Sequence, residues 1–209
     1  MLTLMVCSAL SSTLPFMGAV ICYKWLNKDL KILSILFLAA VTSDLTTLYI
    51  RFFTSEFNVW IFHIYTLLEF IILTILLYRW QVNRLIKKVI GFYIPFYIII
   101  WLLSKYFIES LNQIDGFTST LGSALLMSAV MITFYQIITH EEHISLRDCR
   151  FLVMLGILIY NGGNLFIFGV SNIIDVWPIH SIFNIISNIV YTFAFLCQHP
   201  KLNFSGLSS

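Results

Sequence analysis

Seven stretches of mostly apolar residues run through the chain, at roughly 2–23, 32–53, 58–79, 89–108, 117–139, 151–170 and 178–197. A helix that crosses a hydrocarbon core needs about 20 such residues. Only helices and closed barrels satisfy every backbone group at that depth. Periods this long and this apolar are helical, so the expected fold class is all-α: a polytopic membrane protein with seven transmembrane helices. Composition agrees. Charged residues make up 11% of the chain and apolar ones 59%, against about 25% and 45–50% in soluble domains. The linkers are short, so residues 1–200 are expected to form a single membrane domain, followed by a short cytosolic tail at 201–209. The N-terminal run does not read as a signal peptide, because its positive charges follow the apolar stretch instead of preceding it.

Orientation follows from lysine and arginine. Lys24, Lys28 and Lys31 follow the first stretch; Arg79, Arg84, Lys87 and Lys88 follow the third; Arg147 and Arg150 follow the fifth; Lys201 lies in the tail. Only Arg51 and Lys105 fall on the other side. The N-terminus is therefore expected outside and the C-terminus inside, in the plasma (cytoplasmic) membrane. The four cysteines, Cys7, Cys22, Cys149 and Cys197, lie inside or beside apolar runs and read as free thiols.

The polar residues within the spans carry the functional information, since an ionisable group at membrane depth is costly unless paired or hydrated. The first span has Ser8, Ser11, Ser12 and Thr13 ahead of Pro15, which suggests a kink whose freed carbonyl is met by hydroxyls. Those hydroxyls also suit contact with a neighbouring helix. The second carries Asp44 and Thr47, with Asp44 roughly 13 Å below the outer end. Arg51, on the same face, could reach Asp44 only through Thr47 or water. In the third, His63, Thr66 and Glu69 form a polar strip, with Tyr65 one turn above Glu69; Glu69 is roughly 16 Å deep. Two carboxyls at similar depth on neighbouring helices could share a proton or a cation. The fourth span has no ionisable residue in its core and reads as a connector. The fifth is rich in small residues (Ser119, Gly122, Ser123, Ala124, Ser128, Ala129), a pattern of close packing. The sixth contains Tyr160, Asn161, Gly162, Gly163 and Asn164, where paired glycines allow close backbone approach. The seventh puts His180, Asn184, Ser187, Asn188 and Tyr191 on one stripe, which must face the protein because amides have no partners in lipid. His140, Glu141, Glu142 and His143 have metal-ligand spacing but read as a solvated loop.

The chain also matches itself at a shift of 117 residues. Val-Trp-x-x-His occurs twice, aligning Trp60 with Trp177 and His63 with His180; Asp44 falls on Asn161, Thr47 on Asn164 and Ser11 on Ser128. Both halves begin outside and end inside. This suggests a 3+1+3 parallel repeat: repeat 1 at about 1–81, a linker helix at about 89–108 and repeat 2 at about 117–198. Such repeats are related by an axis along the membrane normal, with the substrate site at their interface.

This layout, with the outside N-terminus and the paired Trp, Asn and His positions, resembles the sugar-transporting SWEET proteins and the wider PQ-loop group, although the group's Pro-Gln signature is absent. The seventh span, HSIFNIISNIVY, also resembles the last helix of alkaline ceramidases, whose zinc motif is His-x-x-x-His. Here the second position is Asn184, and a metal site would need Asp44 or Glu69 beside His63 and His180. A retinal Schiff base is excluded, because the seventh span has no lysine. The expected site is a polar cavity in the outer half walled by Asp44, Thr47, His63, Glu69, Asn161, Asn164, His180, Asn184 and Asn188. The first functional expectation is transport of a small polar or cationic solute. The alternatives are a seven-helix receptor acting through a cytosolic or membrane partner at the basic linkers, and an intramembrane hydrolase acting on lipid. The bilayer is an expected partner; a cofactor, a metal and a nucleic acid are not expected.

Overall fold

The computed structural model describes residues 2–53, 60–109, 116–140, 148–170 and 177–200. The side chains of Arg51, His140 and Trp177, residues 141–147 with the rest of the two-histidine motif, and the tail 201–209 lie outside what it describes. Among the described residues every regular element is a helix: α1 (Leu2–Ser11), α2 (Thr13–Cys22), α3 (Lys28–Phe53), α4 (Trp60–Trp80), α5 (Arg84–Phe107), α6 (Gly116–His140), α7 (Cys149–Val170) and α8 (Trp177–Leu196). With α1 and α2 read as one kinked span, seven are long and apolar enough to cross a membrane. This is the architecture of a multi-pass membrane protein. Large apolar side chains, among them Ile21, Ile35, Phe92, Ile99, Phe166 and Phe193, point outward, as a lipid-facing surface requires.

The first span bends at Ser12. Pro15 supplies no backbone N–H and crowds the carbonyl four residues before it. Three hydroxyls turn back onto their own helix around this point: Ser11 Oγ donates to the Ser8 carbonyl at 2.6 Å, Ser12 Oγ to Ala9 at 2.7 Å and Thr13 Oγ1 to Leu10 at 2.6 Å. The bend therefore leaves few carbonyls facing hydrocarbon.

The helices follow one another around a ring. The α1–α2 span packs on α3, α3 on α4, α4 on α6, α6 on α7, α7 on α8, and α8 closes on α1 and α2. Helix α5 sits outside this ring against α4 and α6 and is the least buried span. Close approach depends on glycine at two points on α7. A Cβ on Gly163 would lie 2.5 Å from the Phe183 ring, and one on Gly156 would lie 2.7 Å from the Tyr191 ring. On α6, the place for a Cβ at Gly122 is 3.0 Å from the Tyr97 hydroxyl.

Along the ring axis the interior divides in two. The end bearing the basic linkers is filled with apolar side chains: Leu30, Leu33, Phe37, Leu73, Leu77, Val130, Val153, Ile157 and Phe195 are all buried. Short polar ties brace that end. Asp29 accepts from Arg79 and, at 2.8 Å, from Trp80 Nε1; Gln81 donates to Thr133; Gln198 donates to Cys149 Sγ at 3.3 Å. Toward the opposite end the buried side chains are mostly polar, with Ser8, Ser11, Ser12, His63, Glu69, Asn161, Ser181, Ser187 and Asn188 buried alongside Val41 and Ile167.

At that opposite end Glu109 joins α5 to α6. Its carboxylate accepts from Lys105 Nζ at 3.0 Å, Ser104 Oγ at 3.2 Å, Thr118 Oγ1 at 2.9 Å and the Phe117 amide. Burial alone would raise its pKa, but the Lys105 ammonium, the Phe117 amide and the Thr118 hydroxyl outweigh burial and hold it at about 2.

Two predictions follow from this packing. Gly163→Ala is expected to force the Phe183 ring to move and to cost about 1–3 kcal/mol, read as a lower melting temperature in detergent. The Glu109 junction has full strength above the carboxyl's ordinary pKa of 4.5 and loses it as pH falls through about 2. The protection factor against hydrogen exchange at the start of α6, corrected for the intrinsic rate at each pH, should therefore fall on acidification across that window, and Glu109→Gln should remove the dependence.

Candidate functional site

The polar half draws on α1, α2, α3, α4, α7 and α8. Helix α8 contributes most of the paired groups. Its stripe faces the first span, and Asn184 Nδ2 donates to Ser8 Oγ at 2.9 Å while Asn188 Nδ2 donates to Ser11 Oγ at 2.8 Å. Asn188 Nδ2 also lies 3.4 Å from Asn184 Oδ1. These amides hold α8 to α1 and close the ring. The serines of the first span thus make helix–helix contact.

Helix α3 brings Asp44, one turn before Thr47 and two turns beyond Phe37. Ser12 lies within hydrogen-bonding reach of the Asp44 carboxyl, yet Ser12 Oγ also donates to the Ala9 carbonyl. A hydroxyl has one hydrogen. Either Ser12 gives it to an ionised Asp44 and releases Ala9, or it keeps Ala9 and accepts from a protonated Asp44. Thr47 Oγ1 is buried and has no hydrogen-bond partner among the described residues.

Helix α4 brings His63, which is fully buried, and Glu69, which is 9% exposed. Thr66 of the same strip donates to its own helix, to the Phe62 carbonyl at 2.8 Å. Glu69 lies about nine residues from the start of α4, or roughly 14 Å at 1.5 Å per residue. No hydrogen-bond donor or cation among the described residues meets its carboxyl. Tyr65 precedes Glu69 by one turn of α4.

Helix α7 brings Tyr160, Asn161 and Asn164. The Asn164 side chain, one turn on, lies within hydrogen-bonding reach of the Tyr160 hydroxyl. Asn161 is buried, and its Nδ2 donates to the Ile157 carbonyl of its own helix at 3.0 Å. His180 of α8 meets the Tyr160 ring edge-on, with centroids 6.1 Å apart. Tyr191 lies between the bare backbone of Gly156 and the Phe37 ring, whose centroid is 5.0 Å away.

The expected site residues therefore separate by chemistry. Asn184 and Asn188 pair with the first span, Asn161 with its own helix and Asn164 with Tyr160. Asp44 and Glu69 remain as the acidic groups of the polar half. The three tyrosines were not among the expected wall residues. Their signal was available: Tyr191 continues the α8 stripe, Tyr65 shares a face with Glu69, and Tyr160 adjoins Asn161. Among the described residues no three His, Cys, Asp or Glu side chains converge as metal ligands would.

A double-mutant cycle tests the closure of α8 on α1. Ser11→Ala and Asn188→Ala are each expected to lower stability, with a coupling of about 0.6–1.7 kcal/mol typical of interhelical hydrogen bonds in membranes. Strict additivity in reversible unfolding from detergent micelles would exclude the bond.

No protein-family model, curated protein or solved structure matches this chain.

Proposed function

We propose that the protein is a carrier of the cytoplasmic membrane that binds a small polar or cationic solute in the polar half of the ring and passes it across the apolar half. The observation that carries this reading is the division of the interior. Glu69 and Asp44 stand near mid-membrane beside polar side chains that continue toward one end, while the other end is closed by packed Leu, Ile, Val and Phe. A carboxyl held at that depth is a functional group by default. An interior polar from one end to its middle suits loading from that side.

The order of the ring supports a carrier built from two halves. A half-turn about the ring axis would exchange the α1–α2 span, α3 and α4 with α6, α7 and α8. It would also exchange the contact of α4 with α6 for that of α8 with the first span, and both contacts are present. Gln81 and Gln198, at the same 117-residue shift, each brace the basic end. With the basic linkers in the cytosol, the polar half opens outward, and rocking of one half against the other would expose the solute inward. The two hydrogen-bonding choices of Ser12 give Asp44 a place to hold or release a proton during that movement.

The test is uptake of labelled polar and cationic solutes into proteoliposomes. Glu69→Gln and Asp44→Asn are each expected to cut flux by about tenfold or more, the loss of a charged contact worth about 1.5–3 kcal/mol. Thr139→Ala, an exposed position on α6, should leave flux unchanged. Binding without flux would overturn the carrier reading in favour of a receptor.

A further inference from the structure

Helix α5 stands outside the ring, against α4 and α6. We propose that its basic end, with the flank it shares with α4, binds an anionic phospholipid of the adjoining leaflet. Arg84, Lys87 and Lys88 meet the phosphate, and an acyl chain lies along a shallow strip over Gly91 and Pro95. The surface is on the outside of the bundle and does not depend on the carrier reading.

Charge is the first argument. Between Glu69 and Glu109 the sequence contains no aspartate or glutamate, yet the start of α5 places Arg84, Lys87 and Lys88 within about one turn. Two other cations at this end are neutralised: Arg79 pairs with Asp29 and Arg150 with Asp148. No carboxylate among the described residues meets Arg84, Lys87 or Lys88. Arg84 and Lys88 are exposed. Lys87 is half-buried, its ammonium standing over the Tyr78 ring of α4 at 4.8 Å from the centroid. Three positive charges without an acid attract a phosphate diester, and a guanidinium among them can hold two of its oxygens at once.

Shape is the second argument. Arg84, Lys88, Gly91 and Pro95 recur at i, i+4, i+7 and i+11, so they share one face of α5. Beyond the two cations that face carries glycine and an exposed proline, whose side chains stand least proud of a helix. Tyr78 walls the strip on the α4 side, where a Cβ on Gly91 would lie 3.2 Å from its ring. Phe92 and Ile99, both exposed, follow on the other side by helical spacing. From Arg84 to Pro95 the strip runs roughly 16 Å at 1.5 Å per residue, close to the depth of hydrocarbon in one leaflet, about half of 30 Å. A soluble anion would use the cations and not the strip. An acidic protein surface would not enter the hydrocarbon beside Pro95. A phospholipid with net negative charge uses both.

The experiment is retention of radiolabelled dioleoylphosphatidylglycerol by the purified full chain in detergent micelles. Competitors are the unlabelled lipid, dioleoylphosphatidylcholine, which has the same chains and no net charge, and glycerol 3-phosphate, which has the charge and no chains. At equal concentration, displacement by the first and not by the other two is expected. Arg84→Gln combined with Lys88→Gln should weaken retention by about 25-fold, roughly fivefold for each cation lost near a membrane surface. Lys24→Gln combined with Lys28→Gln, the same loss of charge in another basic linker, should leave retention unchanged. Gly91→Leu, which fills the strip and keeps every charge, should weaken it. Melting temperatures check the folding of each variant, and the two glutamine pairs decide the matter if Gly91→Leu fails to fold. Absence of saturable retention, equal displacement by the two lipids, or displacement by glycerol 3-phosphate would overturn the proposal. Equal loss in both glutamine pairs, or full retention by a folded Gly91→Leu, would overturn it as well.

Discussion

Within hydrocarbon, a polar group has only other protein groups as partners, and this bundle is arranged around that fact. Lipid offers helices little hydrophobic reason to associate, since a lipid tail is as apolar as leucine. Specific contacts must therefore come from close packing and from hydrogen bonds. Helix α8 has both. Gly156 and Gly163 of α7 bring its backbone against the Tyr191 and Phe183 rings, and Asn184 and Asn188 reach the serines of α1 on the other side. The last helix is thereby fixed between the first and the sixth spans. The hydroxyls of the bent first span serve the same demand locally, by returning to carbonyls three residues back.

The same demand makes Glu69 conspicuous. Asn161, Asn184 and Asn188 of the candidate site each have a mate, and the acid at Glu109 has several. Glu69 has burial and no donor among the described residues. A fold that satisfies its amides this thoroughly would gain stability from an apolar side chain at position 69. Retaining a carboxyl there is intelligible if its partner arrives from outside. The proposed carrier function grows from this contrast between paired amides and a buried acid without a donor.

Much of this was legible in the residue order. The spans stand out because apolar runs of the required length are rare by chance and because the linkers between them are charged. The α8 stripe was readable from helical spacing, and so was its need to face protein. Close packing by the glycines of α7 and the small residues of α6 was also readable. The partner of each stripe residue was not. Asn188 bonds to Ser11 across 177 positions of chain, and no local pattern encodes which of six other spans an amide will meet. Sequence grouped Asn184 and Asn188 with Asp44 and Glu69 because all are polar residues at similar depth. Only the fold separates groups that meet each other from groups that do not. The tyrosines were passed over for a related reason: a phenol in a span packs as readily as it binds, and its role depends on what lies beside its ring.

The sequence by itself determined the number of spans, their lengths, the grouping of basic charge at one end and the polar residues each helix carries. These are local properties, set by the thickness of a hydrocarbon core and by the period of an α-helix. The tertiary structure decided the ring order, the outlying position of α5 and the division of the interior into an apolar half and a polar half. It also decided which buried polar groups are matched. Those outcomes depend on which surfaces meet, and a helix with several comparable faces does not specify its neighbours until all of the helices have packed.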